Sequence, residues 1–174
     1  MYKTIFVSLL LMVGAAQAST SLTDVPIVPV VERQDAPDFI SESFHGGTAG
    51  LADYKGKVVL LHFWATWCLP CREEMLGMEK LWQKYKDQGL VVVTISHATD
   101  SKADVETYLK ALDLSFPILL DQEGKVNGQY SVSRVPTSFL IDGNGKVISR
   151  VAGMKEWDST EGVQLVEKLL SENL

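Results

Sequence analysis

The run Val58-Val59-Leu60-Leu61-His62-Phe63-Trp64, followed after Ala65-Thr66-Trp67 by Cys68-Leu69-Pro70-Cys71, constrains this chain more than any other stretch. Seven nearly unbroken apolar residues predict a strand buried on both faces. Behind the cysteines, Arg72 to Gln88 reads as a helix, with Met75, Met78, Trp82 and Tyr85 spaced along one core-facing side. The pair therefore stands where a strand hands over to a helix. Unpaired N–H groups in a helix's first turn favour an anion, so a cysteine there is held partly as thiolate, its nucleophilic form. Pro70 suits that first turn, where its missing N–H costs nothing. Cys68 is the expected attacking thiol and Cys71, one turn on, the resolving one.

These are the chain's only 2 cysteines, and other readings of them compete. Structural zinc needs four ligands, and neither a second cysteine pair nor closely spaced histidines are present. A c-type haem needs His after the second cysteine, where Arg72 stands. A purely structural disulfide remains open, although so short a loop yields little chain-entropy stabilisation. Two unrelated core cysteines are the plainest alternative. Redox chemistry is the preferred reading, with no metal and no other cofactor expected.

A net charge of −6 argues against a nucleic-acid or anionic-membrane binder. Apolar and charged fractions of 46% and 22% are those of an ordinary globular protein. Lys3, the apolar stretch from Ile5 to Ala16 and the small-x-small Ala16-Gln17-Ala18 predict a signal peptide over 1–18. That stretch is shorter than the roughly 17–25 apolar residues of a membrane span, so an uncleaved anchor is the lesser alternative. No cysteine follows it to carry a lipid anchor. A periplasmic location is expected. Residues 19–35 read as an extended linker and 36–174 as one domain, expected to be monomeric.

Along that domain, His45-Gly46-Gly47-Thr48 reads as a turn and Leu51–Tyr54 as a short helical turn. Leu90–Ser96 is a second buried strand. Ser101 with Asp104 caps a helix from Ala103 to Leu112. Phe116–Leu120 is a third strand, followed by a short helix ending near Tyr130. Asp142-Gly143-Asn144-Gly145 joins Ser138–Ile141 and Lys146–Val151 in a hairpin. Asp158 and Glu161 are read as the capping pair of a last helix ending near Ser171. Alternation followed by a hairpin predicts an α/β fold whose central mixed sheet carries helices on both faces.

With these residues in place, the chain resembles the thioredoxin superfamily, and within it the exported TlpA/ResA-like thiol–disulfide oxidoreductases. The resemblance is carried by Ala36-Pro37-Asp38-Phe39, by Tyr54 to Leu61, by Phe63 to Arg72 and by Arg134 to Asp142. It implies a thioredoxin-like fold, with the group's strand–helix insertion between Ser96 and Asp121. It implies a cis bond before Pro136, which base rates alone would make trans, with the backbone of Val135 pairing with substrate. It also implies a docking surface of Trp67, Leu69, Pro70, Val135 and Pro136, and a partly buried acid at Glu74 that tunes the thiols. A buried carboxyl can hold its proton to high pH and exchange it with the cysteines. The implied partners are protein disulfides or dithiols, apocytochrome c among them, and a membrane-embedded thiol reductant of the DsbD or CcdA kind.

The chain departs from the family at two places. Cytoplasmic thioredoxins carry a buried Asp where His62 stands, and strand alternation puts His62 on the face of Leu60 and Trp64. A neutral imidazole there would accept a proton from Cys71, and a charged one would favour thiolates. The helix also lacks the family's kinking proline at Leu76, leaving Gly77 as a site for a bend. Reduction is the expected direction, with an oxidase or isomerase as the runner-up. A copper chaperone is less favoured, since those of this fold use wider cysteine spacing. The Thr-x-x-Cys context of peroxiredoxins is absent.

Overall fold

A computed structural model describes residues 27, 29–30 and 32–173. The expected signal peptide and the first part of the linker lie outside the described residues. Ahead of the domain, Pro29 bridges to Ser149 and Asp35 to Lys146, both antiparallel.

The two continuous apolar runs form the centre. Strands β3 (Val58–Trp64) and β4 (Leu90–Ser96) are parallel and buried at every position, in register from Val58 opposite Leu90 to Trp64 opposite Ser96. Around them the seven-stranded order is β2-β1-β5-β4-β3-β6-β7. The other strands are β1 (Ile40–Ser43), β2 (Thr48–Gly50), β5 (Ile118–Leu120), β6 (Thr137–Ile141) and β7 (Val147–Ala152). Only β3–β4 and β4–β5 pair in parallel, so the sheet is mixed. Helix α1 (Leu69–Tyr85) follows β3, α2 (Lys102–Leu109) follows β4, α3 (Lys125–Gln129) follows β5 and α4 (Thr160–Glu172) ends the domain. The insertion between Ser96 and Asp121 is thus α2 with β5.

Alternation along β3 sorts the core into two layers. Leu60 and Trp64 pack with Met75, Met78 and Leu81 of α1, Val105 of α2 and Val166 and Leu169 of α4. Leu61 and Phe63 face the other way, with Val126 of α3, Tyr130 and Phe139. The helices therefore cover both faces.

The turn expected at His45–Thr48 is present, with Thr48 opening β2; the strands it joins were not expected, because Glu42 and Ser43 of β1 pair with β5, a long-range partner that local polarity hides. Three other local expectations are corrected. Helix α1 begins at Leu69, ahead of Arg72. Strand β5 starts at Ile118, after Pro117. The cap of α4 is Ser159, whose Oγ accepts the Gly162 N–H at 3.3 Å, while Asp158 turns to Lys80 at 2.8 Å. Gly77 serves close packing: a Cβ there would stand 2.8 Å from Asp158 Oδ1.

Candidate active site

Cys68 is the N-cap of α1, and its Sγ accepts the Cys71 N–H at 3.3 Å. The two cysteines are joined as a disulfide. They are unequal: Cys71 is wholly buried, whereas Cys68 keeps some contact with solvent. Cys68 therefore combines the helix N-terminus, which favours a thiolate, with the greater access.

The loop from β4 to α2 holds the approach to the dithiol. The buried Asp100 carboxylate accepts the Thr66 N–H at 2.8 Å and the Thr66 hydroxyl at 2.9 Å. One residue further, the Trp67 indole N–H donates to Thr99 Oγ1 at 3.2 Å. Thr99 Oγ1 lies 2.9 Å from His97 Nδ1, and the His97 ring stands edge-on to the indole at 5.9 Å and 76°. Trp67 and Leu69, on either side of Cys68, are 64% and 68% exposed, and Pro70 is exposed too.

The Val135–Pro136 bond is cis. Phe63 pairs with Thr137, so Pro136 stands at the end of β3 that leads into Cys68. Of the five residues expected to form a docking surface, Trp67, Leu69 and Pro70 are exposed and Val135 is half-buried, whereas Pro136 is buried.

His62 and Glu74 come together. Both are buried, at 0% and 2% exposure, with His62 Nδ1 3.7 Å from Glu74 Oε1. Ser138, the cross-strand partner of His62, stands between them: its Oγ is 2.9 Å from His62 Nδ1 and donates to Glu74 Oε1 at 3.3 Å. Because Ser138 gives its single proton to Glu74, His62 Nδ1 must carry the hydrogen it shares with Ser138. The same Oε1 accepts the Trp157 indole N–H at 2.6 Å. Although the spacing is that of an ion pair, burial pushes the imidazole down to about 3, and His62 is neutral at physiological pH. Its Nε2 has no hydrogen-bond partner, as fits an uncharged ring removed from water.

Four residues of this site escape sequence reasoning. Ser138 emerges only once the β3–β6 register is known. Trp157, a lone indole among Lys155, Glu156 and Asp158, carried a faint signal as an apolar residue in a charged stretch. Its loop is tied down by the buried Lys155, which pairs with Glu161. Nothing in the local sequence sets Asp100 or Thr99 apart from other polar residues. Among the described residues, no cluster of three or more His, Cys, Asp or Glu side chains is arranged to hold a metal ion.

Comparison with known proteins matches residues 33–150 to the model of the AhpC/TSA family. A thiol-disulfide oxidoreductase ResA of Bacillus cereus is 40% identical over 129 residues, 74% of each chain. The thioredoxin-like protein YneN of Bacillus subtilis is 44% identical over 121 residues, 69% of this chain and 71% of that one. Among solved structures, the exposed lipoprotein thioredoxin of Streptococcus pneumoniae superposes with a TM-score of 0.67 at 33% identity, covering 76% of this chain and 100% of the other.

Proposed function

The chain belongs to the AhpC/TSA thioredoxin-like family and is a thiol–disulfide oxidoreductase of ResA type, and from that premise we propose that it reduces disulfides in exported proteins. The observation that carries this reading is the asymmetry of the dithiol, with Cys68 capping α1 and Cys71 sealed in the core. The Cys68 thiolate attacks one sulfur of a substrate disulfide, forming a mixed disulfide and releasing the other sulfur as thiolate. Cys71, as thiolate, then attacks Cys68 Sγ. The Cys68–Cys71 bond forms and the substrate leaves with both electrons, its two thiolates taking up protons.

The oxidised pair must next accept two electrons from a dithiol donor. A membrane-embedded reductant of the DsbD or CcdA kind fits an exported protein, and apocytochrome c is the substrate class that best fits a ResA-type chain. The pneumococcal relative's description as an exposed lipoprotein supports work outside the cytoplasm, as does the leader-like composition of residues 1–18. No helix among the described residues is long and apolar enough to cross a membrane. Glu74, one helical turn beyond Cys71, and the neutral His62 are the groups we assign to proton exchange with the buried thiol.

A Cys71→Ser variant expressed in its own host tests this reading. Cys68 mixed disulfides should accumulate and be identifiable by mass spectrometry. No trapped partner, or equal trapping through Cys71 in a Cys68→Ser variant, overturns the assignment of the two thiols.

A further inference from the structure

We propose that Thr99 and His97 are specificity-determining positioning residues, which hold the Trp67 indole as a fixed docking face beside Cys68. The inference rests on the reductase reading above and adds to it the device that prepares the protein-binding surface.

The β4–α2 loop grips the residues ahead of the dithiol twice, and the two grips differ in kind. Asp100 holds Thr66 by two charge-assisted bonds from a buried carboxylate, which places the backbone. The second grip lies in solvent and acts on a side chain. Trp67 Nε1–H donates to Thr99 Oγ1. The Thr99 N–H donates to His97 Nδ1 at 3.2 Å, so that nitrogen is a lone-pair acceptor, and the Thr99 hydroxyl directs its proton to the same atom. The result is a one-way chain, Trp67 to Thr99 to His97, in which each bond polarises the next.

Such a chain adds little to folding stability, because its members lie at the surface and exchange these bonds for bonds to water. Its consequence is for the indole. A 64% exposed tryptophan would otherwise sample several rotamers, and a partner binding it would bear the cost of ordering the ring. Large rigid aromatic faces next to a reacting group are strong anchors in protein recognition, and fixing one in advance improves affinity by removing that cost. Trp67 adjoins Cys68 in the chain, so orienting its ring also shapes the surface over which a substrate disulfide approaches.

The test is single-turnover reduction of insulin by the pre-reduced full-length protein, with the observed rate followed against insulin concentration. Thr99→Val should raise the half-saturating insulin concentration about three- to tenfold while the limiting rate stays within about twofold. Thr99→Ser, which keeps the hydroxyl, should restore it, and His97→Ala should shift it in the same direction as Thr99→Val. In a Trp67→Phe background, which lacks the indole N–H, Thr99→Val should have no further effect. An active wild type with an unchanged half-saturating concentration in both Thr99→Val and His97→Ala overturns this inference alone. So does a loss confined to the limiting rate, or an undiminished Thr99→Val effect beside Phe at position 67. A wild type inert toward insulin overturns the reductase reading and this inference with it.

Discussion

The Trp157 indole donates to Glu74 Oε1 at 2.6 Å, joining two buried residues 83 positions apart in the chain. The bond ties the loop before α4 to the helix that carries the dithiol. Trp157→Phe keeps much of the ring and removes the donor. It should lower stability by about 1–3 kcal/mol, since a buried acceptor loses the shorter of its two bonds from Trp157 and Ser138. Guanidinium unfolding of the oxidised protein checks this, and an unchanged midpoint would mean that the bond carries no net weight.

Gly162 sits in the first turn of α4, where a Cβ would come within 2.5 Å of the Trp157 carbonyl oxygen. Backbone cannot yield as a side-chain tip can. Gly162→Ala should therefore destabilise by about 1–2 kcal/mol, overpacking outweighing the better helix propensity of alanine. Gly77→Ala meets only the end of the Asp158 side chain and should stay within about 1 kcal/mol of wild type. Thermal unfolding of the two variants side by side distinguishes the cases.

Burial lowers the His62 imidazole from 6.5 to about 3. Between those values the unfolded chain binds a proton that the folded one refuses, so stability falls as pH drops through the window. The slope is at most about 1.4 kcal/mol per pH unit, and above pH 6.5 this group's contribution is flat. His62→Gln should show a shallower acid loss than wild type in urea titrations across that range. Parallel curves would place the charge change elsewhere.

In the reduced protein, brief treatment with iodoacetamide should label Cys68 and spare Cys71, which has no exposed surface in the oxidised fold. Peptide mapping reads the outcome directly. Equal labelling would contradict the assigned roles.

Asp100→Ala removes both bonds that its carboxylate accepts from Thr66 and should cost about 1.5–3 kcal/mol, the range for bonds to a charged group. Asp100→Asn retains one acceptor oxygen and should recover part of that loss. Chemical denaturation of the three proteins ranks them.

Much of the core was legible in the chain itself. Val58–Trp64 and Leu90–Ser96 are strands over the spans read from their apolar runs, because a strand buried on both faces leaves no position for a polar residue except one with a partner. The burial of His62 followed from the same alternation. Ile40–Ser43 was not legible: its residues alternate weakly, and pairing with Leu119 and Leu120 makes it a strand. Nor was the Ser159 cap, since Asp158 is an equally good capping residue until Lys80 engages it.

The dithiol with its helix, the buried strands and the two-sided core were thus determined by sequence alone, through spacing and periodicity, which act between near neighbours. The surroundings of the dithiol were decided by tertiary structure. Ser138 reaches His62 through strand register, Trp157 reaches Glu74 through the docking of α4, and Asp100 and Thr99 reach Thr66 and Trp67 through the adjacency of β3 and β4. Each of these contacts joins residues far apart in the chain. Hydrogen bonds of a few ångströms depend on where the packed layers bring them, and no local pattern encodes that distance.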